Sequence, residues 1–217
     1  MFVGHYSASF ALKAKTPQVP LWMYFLAAQA VDIGWGAFVL TGVERANYVP
    51  GFTKAFPMDL YYMPYTHSLV ASAIWAAACG ALYFFWKRAQ GVGAAIAVGI
   101  VVLSHWFLDL PVHAPDLPLY DNSMKQGFGL WNYPIVELAL EIGVLLGAIA
   151  LYARRSPQFA RGAWIFGLVL SAIQAGQTLG PWLLTSAQAV ATSALVSYFA
   201  FAYFAYRIER KLGSDSN

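Results

Sequence analysis

Apolar residues gather into six runs along the chain, near 20–42, 67–86, 92–112, 130–153, 162–184 and 187–206, with proline, glycine and charge concentrated between them. Each run approaches or exceeds the roughly 20 residues that cross a hydrocarbon core about 30 Å thick. The pattern predicts an all-α, polytopic membrane bundle of about six transmembrane helices, forming one domain over residues 1–217. The first run follows the polar stretch "KAKTPQVP" and lacks a small-residue cleavage site, so it reads as a retained helix and not as a signal peptide.

Ahead of it, "MFVGHYSASFALKAK" is apolar but too short to span, which predicts a membrane-associated half-helix. With Lys13 and Lys15 at the inner surface, His5 would sit about 12 Å further up, at 1.5 Å per residue. Such a half-helix is tolerated only when packed within protein. Periodicity equally allows an amphipathic helix lying on the surface with His5 exposed.

Composition agrees with the membrane reading: 59% of residues are hydrophobic and 11% charged, more apolar surface than a soluble fold can hide. Basic residues are lopsided. Lys13, Lys15, Lys87, Arg88, Arg154, Arg155, Arg161, Arg207, Arg210 and Lys211 fall on one side of a six-span arrangement, against Arg45, Lys54 and Lys125 on the other. The positive-inside rule then makes the first side, with both termini, cytoplasmic. The net charge of +3 follows from this bias and gives no ground for a nucleic-acid partner; the expected partners are membrane lipids and a small-molecule or lipid-like substrate. Cys79 is the single cysteine, so neither an intrachain disulfide framework nor a thiolate zinc site is available. The loops 43–66 and 113–129, rich in Pro, Gly, Tyr and Asp, face outward and have the composition of ordered turns.

Within the apolar runs stand Asp32, His105, Asp109, Glu137 and Glu141. One carboxylate at a spanning helix's centre costs about 2.5–3.5 kcal/mol, and four unpaired would cost on the order of 10 kcal/mol. They need partners. Counting from the outer helix ends at about 1.5 Å per residue places all of them, with His67, in the outer half of the bilayer. His105 and Asp109 are four residues apart, as are Glu137 and Glu141, so each pair shares a helix face. Imidazole with carboxylate suits zinc, manganese or iron. His113 would add a turn to the first pair, but Pro111 intervenes and is expected to turn the chain before that imidazole arrives. Thr66 and Ser68 flank His67, where they either orient it or cap the following helix. Gln174 and Gln177 read as interhelical hydrogen-bonding groups, and Glu137 and Glu141 also suit a proton relay.

The motifs "GHYSASFALK", "QAVDIGWG", "YTHSL" and "SHWFLDLPV" occur in an order that resembles the bacterial inner-membrane family of membrane-bound metal-dependent hydrolases, over the first three-fifths of the chain. The resemblance implies a divalent metal, zinc foremost, held by His5, Asp32, His67, His105 and Asp109, in a bacterial inner membrane. Two motifs depart from the family pattern: its Pro-Asp-x-Asp-His is reduced to "VDIG", and its His-Arg-Gly is replaced by "MPY". A metal-activated water with Glu141 or Glu137 as general base would hydrolyse an ester or phosphoester. Two other functions use the same residues: a transporter or ion conductor relaying protons through Asp32, Glu137 and Glu141, and a redox protein whose histidines ligate haem or a metal.

Overall fold

The computed structural model describes residues 1–210, so Lys211 of the basic inner set lies outside the described residues. In chain order the helices are α1 (Tyr6–Lys15), α2 (Leu21–Ala28), α3 (Ala30–Thr41), α4 (Leu69–Trp86), α5 (Gly91–Asp109), α6 (Pro134–Arg155), α7 (Ala160–Leu179) and α8 (Ala187–Arg210). Strands β1 (Arg45–Tyr48) and β2 (Met58–Tyr62) pair antiparallel in the loop after α3. Helices α4 to α8 are each long and apolar enough to cross a bilayer, and α2 with α3 makes a sixth span if the bent pair counts as one.

That first span is a correction to the continuous helix expected over 20–42. α2 and α3 meet at 49°, and neither Pro nor Gly stands at the break. The interruption is made where a side chain takes a carbonyl of the helical ladder: His105 Nδ1 bonds the Ala28 carbonyl at 2.8 Å, while the buried Gln29 at the break ties it to the N-terminal segment, its Nε2 donating to the Phe2 carbonyl at 3.3 Å. The fifth span also ends early. α7 stops at Leu179, and 180–186, with Gly180 and Pro181 at its start, forms a non-helical connection instead of continuing to 184.

α1 is no surface helix. Val3, Tyr6 and Phe10 are fully buried and His5 is 1% exposed, because α1 packs between α6 and α2. Its lower end is tied to the end of α8 by Lys13, whose Nζ pairs with Glu209 Oε1 at 2.7 Å. Below the polar layer, Phe10, Phe25, Tyr152 and Phe166 pack as a chain of aromatic contacts, edge-on, tilted and stacked, with centroids 5.5–5.6 Å apart.

α4 and α5 form a tight hairpin whose backbones approach at glycines. A Cβ on Gly80 would lie 3.0 Å from the Ala95 carbonyl oxygen, and one on Gly99 would lie 3.1 Å from that of Ala76. The Gly80→Leu protein is therefore expected to lose about 1–3 kcal/mol through forced separation of the helices, seen as a lower midpoint of thermal unfolding in detergent. An unchanged midpoint would show that the hairpin is not closely packed there.

The loops 43–66 and 113–129 are ordered, as their composition suggests. Segment 49–57, at the tip of the β1–β2 hairpin, is latched over the bundle: the Ala55 N–H donates to the Trp131 carbonyl at 2.8 Å, and Trp182 Nε1 donates to the Ala55 carbonyl at 3.2 Å. Lys125 Nζ and Asn122 Nδ2 both bond the Tyr61 carbonyl, joining the two loops.

Candidate metal centre

The break between α2 and α3, the start of α4, the end of α5 and the N-terminal segment deliver their polar side chains to one buried point. Two carboxylates form its centre. Asp109 Oδ1 lies 3.1 Å from His5 Nε2, and Asp109 Oδ2 lies 3.2 Å from His105 Nε2, 3.6 Å from His113 Nε2 and 3.9 Å from His67 Nε2. Asp32 Oδ1 lies 3.2 Å from His67 Nε2 and 3.5 Å from His105 Nε2. The α-amino group of Met1 also meets Asp109 Oδ1. All four histidines thus turn the same ring nitrogen toward the two aspartates, and each of the four is at most 4% exposed.

The other ring nitrogen decides what these Nε2 atoms can be. The Ala28 carbonyl is only an acceptor, so the His105 Nδ1 bonded to it carries a proton. His113 Nδ1 lies 2.7 Å from Asp116 Oδ1 and donates to it. His67 Nδ1 lies 2.8 Å from Thr66 Oγ1, and that hydroxyl donates to Glu44 Oε2 at 2.6 Å, so His67 supplies the proton of their bond. In the neutral imidazole each of these three Nε2 atoms then presents a lone pair to carboxylate oxygens. Two lone-pair groups at such distances repel unless a proton or a metal cation lies between them. Protonating every ring is a poor remedy, because His5 stacks on His105 with centroids 3.7 Å apart. One ion held in common relieves the repulsion at once.

The spacings fit that reading. Ligand atoms bound at 2.0–2.1 Å in a tetrahedron stand about 3.3 Å from one another; four of the six distances above, 3.1–3.5 Å, match this, and those of His113 and His67 to Asp109 Oδ2, at 3.6 and 3.9 Å, are longer. His105 Nε2 and both ring nitrogens of His5 are buried with no hydrogen-bond partner. Two ligand groups can be drawn, His5 with His105 and Asp109, and Asp32 with His67 and His105. Since His105 Nδ1 is engaged, its single Nε2 serves one of them. The anchoring of Nδ1 by a backbone carbonyl, a carboxylate or a hydroxyl relay is how metal-binding histidines are commonly oriented.

All five residues named as ligands from the sequence converge here. His113 is a correction, since it was expected to be turned away by Pro111. α5 does end at Asp109, but the chain makes one further turn, with the His113 N–H donating to the Asp109 carbonyl at 3.0 Å. The returning loop fixes it there through the Gly129 N–H, 2.7 Å from the His113 carbonyl. Three supporting residues escaped the sequence reading: Glu44, Asp116 and Tyr198, whose hydroxyl donates to Asp32 Oδ2 at 2.7 Å. Only Asp116 carried a local signal, three residues from His113; Glu44 is 22 residues from Thr66 and Tyr198 is 166 from Asp32.

Glu44 is buried just beyond α3 and also accepts from the backbone N–H groups of Tyr65 and Thr66, at 2.8 and 3.0 Å. Burial pushes its carboxyl up from the ordinary value, while His67 and these hydrogen bonds pull it back. Ser68 has the plainer of its two anticipated roles, capping α4 by accepting from the Ala71 N–H at 3.1 Å. Loss of the relay should loosen His67: Thr66→Val and Glu44→Gln are each expected to weaken metal affinity about 10–100-fold, measured by competition with a chelating dye. Unchanged affinity in both would show that the relay does not orient the ligand.

A cavity of about 360 Å³ opens beside the centre and is lined by Asp32, His67, Asp109 and His113 on one side and Glu137 and Glu141 on the other. Glu141 is largely committed to the N-terminal segment, accepting from the N–H groups of Phe2 at 3.0 Å and Gly4 at 2.9 Å. Glu137 accepts from Gln174 Nε2 and from Thr178 Oγ1, both at 3.2 Å, so Gln174 does bridge helices as expected. No family model, no curated protein and no solved structure matches the chain.

Proposed function

We propose that this protein is a membrane-embedded, metal-dependent hydrolase, related to the family that its four motifs resemble, seated in a bacterial inner membrane with both termini cytoplasmic. The observation that supports it best is the convergence of four histidine Nε2 atoms on Asp32 and Asp109. His67, His105, Asp32 and Asp109 would hold the ion, with His5 and His113 completing its surroundings, and nitrogen–oxygen donors at this spacing suit zinc, then manganese or iron. Such an ion, when bound, lowers the pKa of a coordinated water to about 7 and polarises an ester or phosphoryl oxygen.

The chain's own residues supply the remainder. Glu137 faces the cavity with two hydrogen bonds, each to a single side-chain donor, and is the stronger candidate for general base; Glu141, holding backbone N–H groups, positions the N-terminal segment that carries His5. The latched hairpin tip with Phe56 and Trp131 covers the cavity from outside and limits entry of bulk water. A transport reading has less support, because the polar layer stops at the buried aromatic cluster of Phe10, Phe25, Tyr152 and Phe166. A haem between His5 and His105 has no room, since those rings are already in contact.

Two experiments test the reading. Purified protein loaded with zinc is expected to hydrolyse a chromogenic ester or phosphodiester in detergent. Glu137→Gln should lower kcat about 100-fold or more, within the range attributed to a general base, with metal content unchanged; an active Glu137→Gln protein would remove that role. For topology, single cysteines in a Cys79→Ser background at positions 54 and 125 should be labelled from outside and one at 158 should not. Labelling at 158 from outside would invert the orientation.

A further inference from the structure

The cavity beside the metal centre has a mouth, and its position names the kind of substrate. Most of the residues lining it are wholly or partly buried. The five that are exposed, Ile173, Gly176, Pro181, Leu183 and Ser193, all belong to α7, α8 or the connection between them. These two helices are consecutive yet do not pair closely: α7 packs on α6, and α8 packs on α2 and α3. The gap between them is therefore a side entrance, not an entrance from the outer solution, where the hairpin tip is latched to Trp131 and Trp182.

Its depth follows from the helix rise. Ile173 lies six residues before the end of α7 and Ser193 six after the start of α8, each about 9 Å below the outer helix ends at 1.5 Å per residue. In the proposed orientation this is the level of the outer leaflet's glycerol region and upper acyl chains. The rim is apolar, with Leu183 83% and Ile173 39% exposed, whereas the inner wall is acidic: Asp32, Asp109, Glu137 and Glu141 all line it. Among the described residues no Lys or Arg side chain does. A head group with two negative charges would find the ion alone to meet it, while an uncharged or cationic head suits this wall.

We infer that the gap between α7 and α8 is a lateral portal through which an acyl-chain amphiphile of the outer leaflet, with an uncharged or cationic head, reaches the metal centre while its chain stays in the membrane between Ile173, Leu183 and Ala194. This rests on the hydrolase reading for what happens to the molecule but not for how it enters. Gly176 provides a clean test, because a Cβ built there meets no atom within 4 Å. Gly176→Phe can thus block the portal without displacing the fold, and Ser193→Trp blocks it from the opposite side.

The experiment uses the full chain in lipid nanodiscs with a monoacylglycerol that carries a photoreactive diazirine beside its ester, followed by mass-spectrometric mapping of adducts. The wild-type protein is expected to be labelled on the cavity wall, at Glu137 and Tyr198. Gly176→Phe and Ser193→Trp should each reduce wall labelling about tenfold at unchanged thermal midpoint and metal content. Wall labelling undiminished in both variants overturns the portal. So does wild-type labelling confined to lipid-facing positions such as Leu82 and Phe85, the result expected if a second copy closes the gap. A wild-type protein labelled on the wall but unable to bind metal upholds the portal while ending the hydrolase reading, so the two fail separately.

Discussion

Replacing His105 by Ala is expected to strip the protein of its bound divalent ion. His105 is the one residue common to both possible ligand groups, and its proton-bearing Nδ1 is fixed on the Ala28 carbonyl, at the bend between α2 and α3. Its loss removes a ligand and at the same time frees the carbonyl that the bend exposes. Affinity should fall more than the roughly 100-fold upper range seen for outer-shell partners. His67→Ala should lower affinity further than His113→Ala, since His67 Nε2 stands 3.2 Å from Asp32 Oδ1 as well as 3.9 Å from Asp109 Oδ2, whereas His113 Nε2 stands 3.6 Å from Asp109 Oδ2 alone. Titration of each metal-depleted variant with zinc against a chelating dye checks both. Wild-type affinity in His113→Ala would return that residue to a purely structural role.

The second large effect is on stability. Asp109 is 1% exposed and faces His5, His67, His105, His113 and the Met1 amino group. Asp109→Asn keeps the shape but leaves the buried Met1 amino group without its anion, and breaking a buried pair from one side costs about 3–5 kcal/mol. Zinc should stabilise the wild-type protein by about 2.7 kcal/mol at a free concentration 100 times its Kd, and Asp109→Asn should gain nothing from it. Thermal unfolding with and without zinc, after treatment with a chelator, reads both quantities. An Asp109→Asn protein that unfolds at the wild-type midpoint, or that zinc still stabilises, would show that the carboxylate is not the centre of the cluster.

Much of this architecture is legible in the sequence, because two strong signals coincide. Long apolar runs give the helices, and His or Asp inside them stands out against the cost of burial. The i, i+4 spacing of His105 and Asp109 places both on one face, and Lys13 ties the end of α1 to Glu209 of α8. What escaped depends on contacts made across the fold. The bend at Gln29 is made by His105 and tied to Phe2, so nothing in "LAAQAVDIG" announces it. Pro111 misleads for a similar reason: it ends the helix but not the turn that carries His113, which the loop returning at Gly129 holds in place. Glu44 reads as a loop acid until Thr66 is seen beside it. The gap between α7 and α8 has no pattern of its own, because it arises from each helix choosing a different neighbour.

On the proposed reading, His67, His105, Asp32 and Asp109 hold one ion, and His5 and His113 complete its surroundings. Elemental analysis of the full chain after loading with zinc and removal of the excess, performed side by side on the wild-type and His105→Ala proteins, tests it most directly. The expected result is about one equivalent of metal per wild-type chain and essentially none in a folded His105→Ala protein. A wild-type protein that retains no metal, or a His105→Ala protein that retains as much as the wild type, would contradict it.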